Sequence, residues 1–240
     1  MANPFRIYMG FDRREPQAYE VAKFSLTRRA SIEVEVTPIK LDDLRARGLY
    51  WRGADPLAST EFTYSRFLTP ALAGFSGWAL FCDCDFLWLD DIAGLAAYAG
   101  TPKSPSPKAL HCVQHDYRPT ESTKMDGAVQ TVYPRKNWSS LMLFNCEHPA
   151  VKRLTPEVVN HETGAFLHRM QWVADQDIGA LPVEWNWLEG WNGKPERGTP
   201  KAVHFTRGGP WFEQWRNVEY GGVWVAELDE MLRQGAAVAR

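Results

Sequence analysis

Apolar and polar positions along the chain predict strands and helices in turn. Residues 6–9 form a first apolar run that ends at a Gly-Phe-Asp turn and predicts a strand. Residues 15–29 carry apolar side chains at helical spacing, and residues 32–39 alternate as a strand with one solvated face. Strand, helix and strand form one parallel unit, which predicts an α/β domain of the nucleotide-binding type. Ligands of such sheets bind beyond the carboxyl ends of strands, so Gly10 and Asp12 fall on the binding edge.

The same reading extends to the rest of the chain. The pattern predicts a central buried strand at 78–81 and further strands over 109–114, 140–144 and 201–205. It predicts helices over 60–72 and 92–98, the second capped by Asp91, and a helical stretch over 149–170 that breaks near Pro156. The C-terminal helix is amphipathic and carries Trp224, Leu228, Met231 and Leu232. Residues 115–136 are polar and without a clear period, which is typical of a functional loop or of partial disorder.

Composition excludes several classes of protein. The 240 residues are 45% hydrophobic, enough for one large core, and a formal net charge of -2 gives no global basic field for nucleic acid. The N-terminus does not resemble a signal peptide, and no apolar run is long enough to span a bilayer. The four cysteines lie in apolar contexts, which favours core residues of a reduced, cytoplasmic protein over disulfides or a zinc site.

The strongest chemical signal is Asp83-Cys84-Asp85, which follows the central apolar run. In an extended backbone two residues separated by one point to the same face, roughly 6–7 Å apart, so Asp83 and Asp85 can reach one cation. Mg²⁺ and Mn²⁺ take few protein ligands and complete their shells with substrate phosphates. The plainer alternative is a solvated acidic turn, but apolar residues on both sides favour a crevice at the end of a buried strand.

Two further stretches could contribute to such a site. His204 ends an apolar run and precedes Gly208 and Gly209, where the backbone can approach a ligand closely. An imidazole suits manganese, although a lone histidine in this context is more often structural. Spacing alone explains Asp175-Gln176-Asp177 as the acidic start of a helix. Two aspartates and one histidine would form a three-ligand site that is open to a diphosphate.

In this order, the motifs resemble the family 8 retaining glycosyltransferases, the glycogenin and lipopolysaccharide-galactosyltransferase group. The matching stretches are Tyr64-Ser-Arg66-Phe-Leu-Thr-Pro70 with residues 78–92, Ser139 to Asn145, Asp175-Gln176-Asp177 with Leu181 to Asn186, and His204 to Trp211. The resemblance implies a single GT-A domain over 1–240, Rossmann-like, with a central mixed sheet flanked by helices. Its nucleotide-binding half would cover about 1–100, and its acceptor and sugar half about 101–240.

The resemblance also implies roles for individual residues. Asp83, Asp85 and His204 would hold Mn²⁺ or Mg²⁺ on the diphosphate of a nucleotide sugar, most often a UDP sugar. The residues expected to contact the donor are Gly10, Asp12, Arg66, Asp83, Arg207 and Gly208. Asp175 would hydrogen-bond the transferred sugar, and Gln176 would lie near its anomeric carbon, which makes these two the predicted catalytic residues. The acceptor stays open among a saccharide, a glycolipid, a protein and a modified base, and the sequence sets no oligomeric state.

The chain departs from the family pattern at two places. The family has a lysine before its Pro-Trp pair, where this chain has Gly209, so Arg207, Arg135 or Lys136 would have to meet the diphosphate charge. The family's Asn-x-Gly is here Trp138-Ser-Ser, which alters the sugar pocket.

Three other functions remain compatible with these residues. One is an inverting GT-A enzyme with Asp177 or Glu184 as the base. The second is a nucleotidyltransferase, which also uses paired acids and a dication. The third is a non-catalytic module that binds sugars or nucleotides through the tryptophan-rich end of the chain.

Overall fold

A six-stranded mixed sheet forms the centre of the molecule, and a computed structural model describes residues 3–56, 58–116, 123–124, 128–129, 134–193 and 199–238. Its strands are β1 (Phe5–Gly10), β2 (Val34–Ile39), β3 (Trp78–Cys82), β7 (Leu110–Cys112), β10 (Leu141–Asn145) and β11 (Ile178–Ala180). They lie in the order β11-β7-β10-β3-β1-β2. β10 runs antiparallel to β3 and β7, while the other pairings are parallel. The carboxyl ends of five strands therefore share one edge with the amino end of β10.

A second, three-stranded sheet packs beside the first and carries part of the site. It contains β4 (Phe86–Trp88), β12 (Trp187–Leu188) and β13 (Ala202–His204), with β13 in the middle. β4 follows β3 after three residues, so the turn that contains Asp83 and Asp85 joins the two sheets. Two small hairpins complete the strands: β5 (Gly100–Thr101) with β6 (Ser104–Pro105), and β8 (Thr123–Lys124) with β9 (Ala128–Val129).

Helices of four to 18 residues flank the sheets. They are α1 (Pro16–Thr27), α2 (Leu41–Ala46), α3 (Thr69–Leu72), α4 (Ala93–Ala96), α5 (Pro149–Lys152), α6 (Pro156–His161), α7 (Gly164–His168) and α8 (Gly221–Val238). The predicted α/β fold and its opening strand-helix-strand unit are confirmed. None of the described helices has both the length and the apolar character needed to cross a lipid bilayer.

Two local predictions differ from the structure, and a third falls partly outside the described residues. The helix expected over 60–72 is a 3-10 helix (Ser65–Leu68) followed by the single turn of α3, since Pro70 removes a backbone donor. The stretch 149–170 breaks at Pro156 as predicted and again at Thr163, because the hydroxyls of Thr155 and Thr163 each cap a new helix. Of the polar loop predicted over 115–136, residues 117–122, 125–127 and 130–133 lie outside the described part of the chain.

Much of the tryptophan content is used for packing. Trp88, Trp172, Trp185 and Trp224 are fully buried, and Trp187 is only 5% exposed. Trp185 and Trp187, in the tryptophan-rich end of the chain, therefore belong to the cores. A smaller apolar cluster around Phe205 and Trp224 seats α8 against the second sheet.

Candidate metal centre

Asp83, Asp85 and His204 lie together at the carboxyl end of β3. The ligand atoms of the three side chains all fall within 4.8 Å of one another. Nε2 of His204 lies 3.3 Å from Oδ1 of Asp85 and 4.0 Å from Oδ2 of Asp83. The two carboxylate side chains are 12% exposed and the histidine 2%. Two carboxylates and an imidazole in a nearly closed crevice form a donor set that fits a divalent metal with open positions.

Strand pairing explains how residues so distant in sequence meet. The backbone N–H of Asp83 donates to the carbonyl of Ser140 at 2.9 Å, which extends the β3–β10 ladder by one residue. On the other side, antiparallel pairing of β13 with β4 places His204 opposite Phe86. The backbone N–H of Phe205 then donates to the Asp85 carbonyl at 2.9 Å. Both aspartates and the histidine are therefore fixed by backbone geometry.

A chain of hydrogen bonds sets the tautomer of His204. The hydroxyl of Ser140 donates to the carbonyl of Asn137 at 2.7 Å, so its lone pair accepts from Nδ2 of Asn186 at 2.8 Å. Oδ1 of Asn186 therefore faces His204, and Nδ1 of the imidazole donates to it at 2.9 Å. With Nδ1 bound to Asn186, Nε2 is the ring nitrogen directed at the two aspartates. Phe86 stacks on the ring with centroids 4.6 Å apart, which fixes the imidazole plane.

We expect Asn186→Leu to weaken Mn²⁺ binding about 10- to 100-fold, because losing the acceptor releases the tautomer and orientation of His204. Isothermal titration with Mn²⁺ measures the change. Asn186→Asp keeps an acceptor at the same place and should retain most of the affinity. Asn145→Leu, at the far end of β10, is the matched control. Equal Mn²⁺ affinity in Asn186→Leu and the wild type would show that Asn186 has no part in orienting His204.

Arg66 holds the carboxylate of Asp83 in place. Its Nη1 donates to Oδ1 of Asp83 at 2.8 Å and to the carbonyl of Ser139 at 2.9 Å. The guanidinium lies 5.2 and 5.1 Å from the ring centroids of Phe62 and Phe81, and the residue is 5% exposed. One carboxylate oxygen of Asp83 is thus held by the cation and the other is turned toward His204. In this structure the predicted donor-contacting arginine contacts a candidate metal ligand.

Gly10 and Asp12, the predicted donor-contacting residues at the end of β1, also have structural roles. Asp12 is fully buried and accepts from the backbone and side chain of Arg14 and from the backbone of Glu61. Burial alone would raise the pKa of Asp12, but these hydrogen bonds lower it below its usual value. A Cβ at Gly10 would lie 2.7 Å from the ring of Phe62, so glycine is required there by packing. The carboxylate of Asp12 fastens the loop before Glu61 to the binding edge.

Glu15 is a buried acid that the sequence did not single out. It is 3% exposed, and its oxygens accept from the indole N–H of Trp211 at 3.1 Å and from the thiol of Cys84 at 3.5 Å. Burial, followed by the charges of Asp85 and Asp12, raises the pKa of Glu15 to about 8. Its position at the start of α1, directly after the predicted binding turn, was a signal that could have identified it.

Glu15 predicts a pH-dependent stability in the metal-free protein. Its folded pKa of about 8 lies above the ordinary value of 4.5, so the folded state holds the proton more tightly than the unfolded state. The contribution to stability is complete below the unfolded pKa and is lost as the pH rises through about 8. We therefore expect Glu15→Gln, relative to wild type, to gain roughly 1–3 kcal/mol between pH 5 and pH 8.5.

Urea unfolding in EDTA at the two pH values measures the effect of Glu15. Glu213→Gln is the control, since Glu213 is exposed. A wild type and a Glu15→Gln variant whose stabilities change in parallel with pH would contradict the assignment.

The loop after β13 packs around the second sheet through Arg207, Gly208 and Gly209. Nη2 of Arg207 donates to the buried carboxylate of Glu189 at 3.1 Å, and its guanidinium lies 5.3 Å from the ring centroid of Trp215. Gly208 has a φ of 125°, and a Cβ there would lie 2.7 Å from Trp215. A Cβ at Gly209 would lie 2.1 Å from the ring of Trp211, so the lysine of the resembling family cannot stand there unless Trp211 moves.

Asp175 and Gln176 are not brought to the metal centre. Both are exposed in a 3-10 helix before β11, and Arg135 binds Oδ1 of Asp175 at 2.6 Å. The backbone N–H of Ala109, just before β7, donates to the carbonyl of Asp177. β3 and β7 are both antiparallel to β10, so the backbone of this triplet lies at the amino ends of the parallel strands, while the side chain of Asp175 reaches Arg135 in the loop before β10. Contact of Asp175 and Gln176 with a transferred sugar stays a prediction.

Several solved glycosyltransferases of the GT-A fold share this architecture. GlyE of Streptococcus pneumoniae TIGR4 has a TM-score of 0.60 and 13% identity, covering 99% of this chain and 64% of GlyE. The bifunctional glycosyltransferase WbbM has a TM-score of 0.64 and 14% identity, covering 97% and 52%. The galactosyltransferase LgtC, in complex with donor and acceptor sugar analogues, has a TM-score of 0.57 and 10% identity, covering 94% and 96%. This chain spans less than two thirds of GlyE and about half of WbbM.

At these identities the structural likeness establishes the fold, so the chain is a GT-A-fold protein with an acidic and histidine cluster at its binding edge. No family model matches the chain. It is 56% identical to Protein CDI of Arabidopsis thaliana over 230 residues, which covers 95% of this chain and 87% of that protein. The chain belongs to the family of Protein CDI.

Proposed function

We propose that the protein is a metal-dependent glycosyltransferase that moves a hexose from a nucleotide sugar, foremost a UDP sugar, to an acceptor hydroxyl. The observation that carries the proposal is the Asp83, Asp85 and His204 cluster on a GT-A fold. Its oxygen and imidazole donors suit Mn²⁺, and Mg²⁺ to a lesser degree. The position of His204 Nε2, 3.3 Å from Asp85 and 4.0 Å from Asp83, supports a site built for a cation. A bound metal of this kind would neutralise charge on the leaving diphosphate.

Among the protein cations, Lys136 is the one we propose for the place of the missing lysine. Lys136 is 4% exposed and directly precedes residues 137–140, whose backbone contacts Arg66 and Asp83. An ammonium group in a low-dielectric crevice stabilises developing negative charge more strongly than one in water.

The nucleoside of the donor would lie next to this centre. A cleft of about 280 Å³ opens beyond the carboxyl ends of β1 and β2, where α/β sheets bind ligands. Its lining includes Arg13, Arg14, Arg45, Tyr50 and Tyr64. Aromatic faces and arginines suit a base, a ribose and adjacent phosphates. The loop that Asp12 fastens forms one wall of the cleft, which gives that buried carboxylate an indirect role in donor binding.

Retention of anomeric configuration is the finer part of the proposal and rests on the family 8 resemblance. In that scheme the leaving phosphate accepts the acceptor proton, so no protein base is required.

The four cysteines are free and buried, which supports the cytoplasmic location proposed from the sequence.

The test is hydrolysis and transfer from a donor panel with and without Mn²⁺, followed by mass spectrometry and by NMR of the product anomer. The panel contains UDP-glucose, UDP-galactose, UDP-N-acetylglucosamine and GDP-mannose. We expect Mn²⁺-dependent release of a nucleoside diphosphate and an α-linked product, and weaker UDP binding in Lys136→Met. A β-linked product would contradict the retaining mechanism but would still agree with a glycosyltransferase. Release of pyrophosphate from a nucleoside triphosphate would instead indicate a nucleotidyltransferase.

A further inference from the structure

Two polar atoms in the loops around His204 are buried and have no hydrogen-bond partner among the described residues. They are Nε2 of His115 and Nδ2 of Asn137. Such an atom costs the native state free energy unless something pairs with it, so its presence asks for a ligand or a water. Comparable atoms on Trp88 and Trp187 lie on side chains that are almost completely buried in the cores. The loops that carry His115 and Asn137 lie at the edge of the sheet that carries the candidate metal centre.

Topology brings His115 to the same edge of the sheet as Asp83. It follows β7, whose carboxyl end lies alongside that of β3 because both strands are antiparallel to β10. The indole N–H of Trp138 donates to the His115 carbonyl at 2.9 Å and fixes the loop. Burial lowers the pKa of His115 to about 3, so the ring is neutral.

Asn137 approaches the same centre from the loop before β10. It is 8% exposed and has a φ of 65°, a left-handed conformation that asparagine tolerates. Its carbonyl begins the relay through Ser140 and Asn186 to His204. Its side chain makes no capping hydrogen bond to the 3-10 helix that follows, which is the usual use of an asparagine at this position. A cap would use Oδ1, an acceptor, whereas the atom without a partner among the described residues is the donor Nδ2.

We infer that His115 and Asn137 bind hydroxyl groups of the transferred sugar, an assignment that rests on the proposed function. The two residues belong to neighbouring loops, which the hydrogen bond from Trp138 to the His115 carbonyl joins, and Asn137 is linked to His204 through Ser140 and Asn186. A neutral imidazole and a neutral amide match hydroxyls, which both donate and accept, better than they match phosphate oxygens. A few such groups fix the orientation of a ligand in a pocket and supply its specificity. They would act as specificity residues on the sugar side of the metal.

The experiment uses His115→Leu and Asn137→Gly, the latter chosen because glycine keeps the left-handed backbone. Isothermal titration in Mn²⁺ compares UDP with the nucleotide sugar of the donor panel that the wild type binds most tightly. We expect each variant to bind the nucleotide sugar roughly 3- to 10-fold more weakly and to bind UDP and Mn²⁺ like the wild type. Melting temperatures should stay level or rise, because each change removes an unpaired buried atom. His161→Leu, on an exposed histidine, is the control.

Three results would overturn the inference. Equal loss of UDP and nucleotide-sugar affinity would place the two residues on the nucleotide. Loss of Mn²⁺ affinity would make His115 part of the metal centre. Nucleotide-sugar binding that matches the wild type would show that neither residue contacts the sugar. A wild type that binds no nucleotide sugar of the panel removes the proposed function and this inference together, and is distinguished from the other results by the absence of any wild-type signal.

Discussion

Asp85→Asn is expected to reduce Mn²⁺-dependent release of the nucleoside diphosphate at least about 100-fold while leaving the fold intact. The carboxylate of Asp85 approaches Nε2 of His204 at 3.3 Å, and its backbone carbonyl joins the two sheets through Phe205. The substitution leaves that backbone bond in place and removes one negative charge from the ligand set. Turnover at saturating Mn²⁺ and the Mn²⁺ dissociation constant measure the effect.

The matched control is Asp90→Asn, the same change five residues further along the chain. Asp90 is 47% exposed and pairs with Lys201 at 2.8 Å, away from the cluster. It should retain wild-type turnover. If Asp85→Asn turned over substrate like the wild type, the metal centre proposed here would be wrong and the measured activity would have to come from another site.

Asp175→Asn and Gln176→Ala sharpen the same comparison. The position of these residues at the amino edge of the sheet predicts that both variants keep most of their turnover. A loss as large as that of Asp85→Asn would instead support the catalytic role that the family 8 resemblance implies. The two results therefore decide between the catalytic role that the motif order implies and the non-catalytic role that the strand direction implies.

Local sequence patterns could predict the opening of the fold and the metal-binding turn. Period-two and period-3.6 patterns are properties of neighbouring residues, so β1, α1 and β2 follow directly from the chain. Asp83 and Asp85 interrupt an apolar run, and a charge pair in such a run is costly enough to indicate a function. Their place at the end of β3 agrees with that reading.

The rest of the site depends on contacts between distant residues. Pairing of β13 with β4 brings His204 to Asp85, and that register cannot be derived from either strand alone. Asn186 acquires its role only through the side chains of Ser140 and His204, which are 46 and 18 residues away. The absence of a lysine at Gly209 likewise becomes intelligible only once the ring of Trp211 is seen to fill the space.

Arg66→Met is expected to have the largest effect on stability, about 3–5 kcal/mol of lost unfolding free energy in the metal-free protein. The substitution leaves Asp83 as a buried carboxylate without its nearest cation, since Nη1 of Arg66 lies 2.8 Å from Oδ1. It also removes the hydrogen bond to the Ser139 carbonyl and the contacts with the rings of Phe62 and Phe81. Urea unfolding in EDTA measures the loss.

The double variant Arg66→Met with Asp83→Asn tests the cause. If an uncompensated charge dominates, removing that charge should recover part of the stability, so the two substitutions together cost less than the sum of their separate costs. Strictly additive costs would show that Arg66 stabilises the protein through its packing between Phe62 and Phe81 and not through Asp83. In that case the arginine would hold the core, and the orientation of the Asp83 carboxylate would depend on the β3–β10 ladder alone.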